Sequence, residues 1–153
     1  MTSMIVTESG RFLISTDRSM LDVGVIHGFL VESYWARGIA RETVVRSIEN
    51  SLCFGIYLEA RQVGFARVIS DYATFAYIAD VFVLEPYRGL GLAKELMSSI
   101  VAHPDLQGLR RWNLVTRDAQ SLYAQFGFQP IENGGRTMME LAESCACKAA
   151  IES

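Results

Sequence analysis

The chain has 153 residues, half of them hydrophobic, which suits one domain with a sizeable core; a charged fraction of 20% argues against bulk disorder. The net charge of −3 speaks against a general nucleic-acid surface, and no apolar run reaches the length of a membrane span. The N-terminus, MTSMIVTESG, lacks the basic and apolar regions of a signal peptide, so cytoplasmic residence is the default. Three cysteines are too few for a disulfide framework. Cys53 lies in an apolar run and reads as a buried thiol. Cys145 and Cys147 form Cys-x-Cys without a second Cys/His pair at ligand spacing, the histidines being His27 and His103, so no metal is expected.

In chain order, Phe12 to Thr16 reads as a first strand. Asp17 or Ser19 could cap the helical stretch after it, and Ser19 to Asp22 has the capping-box form. From Met20 to Trp35 the residues Val23, Ile26, His27, Leu30, Val31 and Tyr34 recur at helical spacing, although Gly24 and Gly28 weaken the middle. Gly38 breaks the pattern, and Glu42 to Asn50 resumes it. Leu52 to Glu59 and Gln62 to Ser70 are strands around a turn at Ala60-Arg61. After a second turn comes a fourth strand, Phe75 to Leu84. Three strands with short links predict an antiparallel meander.

The stretch from Val81 to Ala102 organises the chain. Its strand ends at Pro86, then Arg88-Gly89-Leu90-Gly91-Leu92-Ala93 leads into a helix whose Leu92, Ala93, Leu96, Met97, Ile100 and Val101 share one face. Strand, glycine turn and helix start together predict an anion site, because converging N–H groups and the helix dipole favour negative charge. His103-Pro104-Asp105 stops the helix. Leu109 to Val115 is a fifth strand, parallel to the fourth because a helix connects them. Asp118 to Phe126 reads as a short helix closed by Gly127. Phe128 to Ile131 and Thr137 to Leu141 read as two last strands around Asn133-Gly134-Gly135. One domain over 1–142 and a tail over 143–153 are expected.

The loop fits Arg/Gln-x-x-Gly-x-Gly/Ala at Arg88, Gly91 and Ala93, and it resembles the acetyl-CoA loop of the GCN5-related N-acetyltransferase (GNAT) family. The run from Ala119 to Phe128 resembles that family's later Ala-x-x-Leu-Tyr-x-x-x-Gly-Phe motif. The element order matches as well. The resemblance implies a mixed α/β fold: a mostly antiparallel sheet with a parallel fourth and fifth strand and helices on both faces. It also implies acetyl-CoA as cosubstrate, with a small-molecule or protein amine as acceptor, and it admits a homodimer.

By the same resemblance Val81, Phe82 and Val83 hold the acetyl and pantetheine on backbone groups exposed by a splay between the two parallel strands, often helped by a bulge. Residues Arg88, Gly89, Leu90, Gly91, Leu92 and Ala93 hold the pyrophosphate, and Lys94 either assists or is a solvated helix lysine. Tyr123 stands where the family places a tyrosine at the CoA sulfur; the other reading is a core tyrosine. Thr116 replaces a usual asparagine, and its hydroxyl can still reach the pantetheine. No glutamate begins the fourth strand. Asp80 is the nearest carboxylate, as a base acting through water or as a structural acceptor, with Tyr77 a weaker alternative. Tyr34, Trp35, Arg37 and Arg41 would build a pocket for an aromatic or carboxylate-bearing amine, or else be core and solvated surface. The activity implied is N-acetyl transfer by direct attack in a ternary complex; the alternative is a non-catalytic CoA-binding sensor or regulatory protein on the same fold.

Overall fold

The computed structural model describes residues 2–131. Six strands form one sheet in the order β1 to β6: β1 Thr2–Thr7, β2 Gly10–Ser15, β3 Leu52–Leu58, β4 Arg61–Ser70, β5 Phe75–Val83 and β6 Arg111–Leu114. All neighbours are antiparallel except β5 and β6, which run parallel. Helices α1 (Val23–Leu30) and α2 (Arg41–Glu49) precede β3, α3 (Leu92–Val101) crosses from β5 to β6, and α4 (Gln120–Ala124) comes after β6.

The core lies in two layers. On one face of the sheet Phe12, Ile14, Phe54, Ile56, Val68 and Ile78 pack against Leu92, Leu96, Met97 and Ile100 of α3. On the other face Cys53, Phe65 and Phe82 pack against Ile26 and Leu30 of α1 and Val44 and Ile48 of α2. The mixed sheet with helices on both faces is the fold expected from the sequence, with the parallel pair now numbered β5/β6. The extra strand is β1, which pairs antiparallel with β2 across a tight turn.

Several boundaries differ for local reasons. The helix expected over Met20 to Trp35 is only α1. Asp17 accepts from the Ser19 N–H at 2.9 Å and starts a separate 3-10 turn, Arg18–Met20. Asp22 then caps α1 by accepting from the Val25 N–H at 3.2 Å, so the capping residue is Asp22 rather than Ser19. At the far end the Ser33 hydroxyl donates to the Leu30 carbonyl at 2.7 Å, which closes the helix. Residues 31–38 become a chain of turns, ended by Gly38 at φ 75° with its N–H on the Val31 carbonyl. The last helix shrinks to five residues, and Phe128 to Ile131 is not a strand. Its expected partner Thr137 to Leu141, the Asn133 turn, the tail and the Cys145/Cys147 pair lie outside the described residues. Among the described residues no helix is long and apolar enough to cross a membrane, and no His/Cys/Asp/Glu cluster could hold a metal ion.

Candidate active site

Strand β5 changes register halfway. Phe82 lies opposite Phe65, but Ala79 lies opposite Arg67, so β5 takes three steps where β4 takes two. The extra residue makes a bulge at Asp80-Val81, and Asp80 sits at φ 55°, a left-handed conformation that Asp tolerates better than most residues. Parallel pairing with β6 stops at Ile78 opposite Leu114. Beyond it, among the described residues, the outer edge of β5 from Ala79 to Val83 has no β6 partner. This is the splay that Val81, Phe82 and Val83 were expected to occupy.

Asp80 is held on both oxygens. Oδ2 accepts from Arg67 Nε at 2.9 Å, and Oδ1 accepts from Trp35 Nε1 at 3.0 Å. Arg67 also donates from Nη1 to the Ser51 hydroxyl at 3.2 Å. Only 16% of the Arg67 side chain and 11% of the Asp80 side chain are exposed. The indole of Trp35 is therefore tied to the bulge. An aromatic wall continues from it: Phe29 stacks on Phe82 at 4.0 Å, Trp35 lies 6.0 Å from Phe29, and Tyr34 meets Trp35 edge-on at 5.0 Å. Arg117, from the loop after β6, places its Cζ 4.0 Å from the centre of the Tyr34 ring. Arg37 and Arg41 are exposed, and no hydrogen bond or ion pair engages their side chains among the described residues.

The loop that leaves β5 begins with a 3-10 turn at Glu85–Tyr87, and Arg88 Nε donates back to the Val83 carbonyl at 2.9 Å. That bond ties the loop to the strand end. Gly89 and Gly91 have φ 78° and 79°, and a Cβ added at either would meet nothing within 4 Å. The glycines are needed there for backbone conformation, and the space beside them is open. Gly91 is the N-cap of α3 and supplies no side-chain cap. The leading N–H groups of α3 are left for another acceptor. The Leu92 side chain is buried in the core, and Leu90 and Ala93 pack against that core, so this part of the loop has backbone to offer a ligand.

Tyr123 is 9% exposed and belongs to the α3-side core, with Phe128 edge-on at 6.2 Å. Burial is the main cause that pushes its phenol above the ordinary range, and Tyr34 and Asp118 push the same way. Thr116 Oγ1 accepts from the Ala119 N–H at 3.0 Å and shapes the turn into α4. Leu114, Thr116, Tyr123 and Phe128 line a concavity of about 550 Å³ beside β6.

Three contributors escaped the sequence reading: Phe29, Arg67 and Arg117. Arg67 carried a usable signal. It stands among apolar residues in a strand, and a half-buried guanidinium demands a partner. The other two meet the site through tertiary contacts that no local pattern announces.

The description "Acetyltransferase (GNAT) domain" belongs to the family model that matches residues 49–130. A Gibberella zeae protein carrying an acetyltransferase name is 30% identical over 139 residues, covering 76% of this chain and 77% of that protein. A crystal structure from Xanthomonas campestris pv. campestris, described as belonging to the GNAT family, is 52% identical with a TM-score of 0.82. It covers 86% of this chain and 93% of that one. A Clostridium acetobutylicum structure solved with acetyl-CoA shares the fold, at 13% identity and a TM-score of 0.62, covering 93% of this chain and 96% of that one.

Proposed function

We propose, since this chain belongs to the GNAT acetyltransferase family, that it transfers an acetyl group from acetyl-CoA to a primary amine by direct attack in a ternary complex. The observation that carries this reading is the bulged, unpaired end of β5 leading into the uncapped start of α3. Open strand edge and helix N-terminus succeed one another along the chain, as an extended ligand with a terminal thioester and an internal pyrophosphate requires. Bound acetyl-CoA supplies an activated acetyl group and a thiolate leaving group.

The protein's part divides among the residues described. An outward-facing backbone N–H of this segment, at Val81 or Val83, donates to the thioester oxygen as negative charge develops on it, while the Phe82 N–H faces β4. The α3 amides, the loop from Arg88 to Ala93 and the remaining guanidinium N–H groups of Arg88 bind the diphosphate. Thr116 keeps its hydroxyl proton available for an amide carbonyl of the pantetheine arm. Tyr123 gives its proton to the departing sulfur, as a new C–N bond replaces the C–S bond. A phenol held above its ordinary range stays protonated at neutral pH, so it is armed as an acid throughout that range. The amine must be neutral to attack, and its surplus proton leaves to water.

We assign Asp80 a positioning role, because both of its oxygens already hold donors that fix Trp35 and the bulge. Trp35 and Tyr34 wall the acceptor side.

The test is free-thiol release from acetyl-CoA across a panel of amines, with wild type beside Tyr123→Phe. Turnover that falls at least tenfold in the variant, about 1.4 kcal/mol of transition-state stabilisation, supports both the enzyme and the acid. Turnover indifferent to the substitution removes Tyr123 from the chemistry. Thermal stabilisation by acetyl-CoA without turnover of any amine would instead favour a sensor on the same fold.

A further inference from the structure

Arg117 is placed differently from the other exposed arginines. Its guanidinium lies over the ring of Tyr34, Tyr34 lies edge-on to Trp35, and Trp35 is hydrogen-bonded to Asp80 at the bulge. Three direct contacts thus connect the cation to the strand end where the acetyl group is to be delivered. The contact also bridges two separate loops, 31–38 before α2 and 115–119 after β6, which face each other across the acceptor side. A ring that holds a guanidinium uses its charge and leaves its N–H groups free. Among the described residues no hydrogen bond or ion pair engages the Arg117 donors. The neighbouring Asp118 does not pair with it either. Arg67, the other cation of the site, is neutralised by Asp80. Among the described residues Arg117 is therefore a positive charge on this wall with no ionic partner, its guanidinium held as a fork over the Tyr34 ring.

We propose that Arg117 reads a carboxylate on the acceptor, and that the acceptor class is an amine bearing a carboxylate, as an amino acid does. This rests on the acetyltransferase reading above. The planar fork matches a carboxylate with two parallel N–H···O bonds, which a lysine at the same place could not reproduce. Tyr34 holds the guanidinium over its ring, so little side-chain freedom is lost when the anion docks. The amine end of such an acceptor then lies toward Trp35 and the bulge.

The experiment compares acceptors in pairs that differ only by the carboxylate: phenylalanine with phenethylamine, leucine with isopentylamine, and lysine with 1,5-diaminopentane. Free-thiol release from acetyl-CoA gives kcat/KM for each. Wild type should prefer the carboxylate member of at least one pair about tenfold, equivalent to about 1.4 kcal/mol. Arg117→Gln should erase that preference, mainly through KM, and Arg117→Lys should restore only part of it. Arg46→Gln removes the same charge from the exposed side of α2 and should keep the preference, which separates a local fork from a change in net charge. Turnover confined to the decarboxylated amines, or a preference that survives Arg117→Gln, overturns the inference and leaves the acetyltransferase standing. No thiol release from any amine overturns the proposed function, and the inference with it.

Discussion

Replacing Asp80 with alanine would remove the acceptor of two donors at once. Arg67 would lose its ion pair at 2.9 Å and Trp35 its hydrogen bond at 3.0 Å. Breaking one side of a buried ion pair costs about 3–5 kcal/mol. The partners are 16% and 11% exposed, so some water reaches them and the lower end, about 3 kcal/mol, applies. Alanine at φ 55° adds about 1 kcal/mol of backbone strain that Asp largely avoids. For a chain of 153 residues each kcal/mol lowers Tm by about 2–4 °C, so a fall of about 10 °C is expected. Asp80→Asn keeps an oxygen for the indole and a residue type suited to the backbone, and should lose about half as much. Arg67→Met combined with Asp80→Asn should show a coupling of at least about 1 kcal/mol in a double-mutant cycle. Thermal unfolding without acetyl-CoA reads the stability, and thiol release against pH reads the chemistry. A positioning residue lowers the rate by a similar factor at every pH. Wild-type Tm in Asp80→Asn, together with lost turnover and a vanished acid limb of the profile, would refute the reasoning and make the carboxylate a base.

Tyr57 is 2% exposed, and its hydroxyl has no partner among the described residues. Tyr57→Phe should therefore stabilise the fold by about 1 kcal/mol, a rise of about 2–4 °C in Tm. Burial lifts the Tyr57 phenol to about 12, above its unfolded value of about 10. The native state thus binds the proton more tightly, and this contribution is complete below about pH 10 and is lost as pH climbs toward about 12. Tyr57→Phe should flatten that alkaline loss, and equal losses in both proteins would contradict the assignment. Arg88→Ala should raise KM for acetyl-CoA about tenfold with a smaller change in kcat, since it removes a charged contact present before and during the reaction. An unchanged KM would take Arg88 out of the binding site.

How far the sequence spoke depended on whether the cause was local. The loop from Arg88 to Ala93 was legible because Gly89 and Gly91 adopt positive φ, and because α3 comes next with an uninterrupted apolar face. The run from Asp118 to Gly127 was legible as a motif, although hydrogen bonds formed only five helical residues there. Strand β1 was missed because its outward Met4 and Val6 are exposed, so the apolar residues that mark a strand face solvent. The helix expected through Trp35 overran because Ser33 competes for the Leu30 carbonyl, which a count of apolar spacings ignores. Asp80 stood out as a carboxylate in a strand, yet its partners depend on the register of β4 and on a loop 45 residues upstream. Arg117 on Tyr34 is a contact of the same long-range kind.

The bulge also reveals how the two tasks of β5 were written into one strand. Before it, even-numbered residues, Ala76 and Ile78, face α3; after it, odd-numbered Val81 and Val83 do so, and Phe82 turns to the helices on the other face. Strike out Asp80, and the alternation runs unbroken from Ala76 to Val83. Asp80 is supernumerary to the sheet: every apolar side chain would keep its face without it. A relative lacking this position would retain the architecture and lose the kink, the anchored indole and the register offset together. Under the proposed function, what the fold asks of β5 and what chemistry asks of it are separable by one residue, so a change in strand length would alter activity with the core composition untouched.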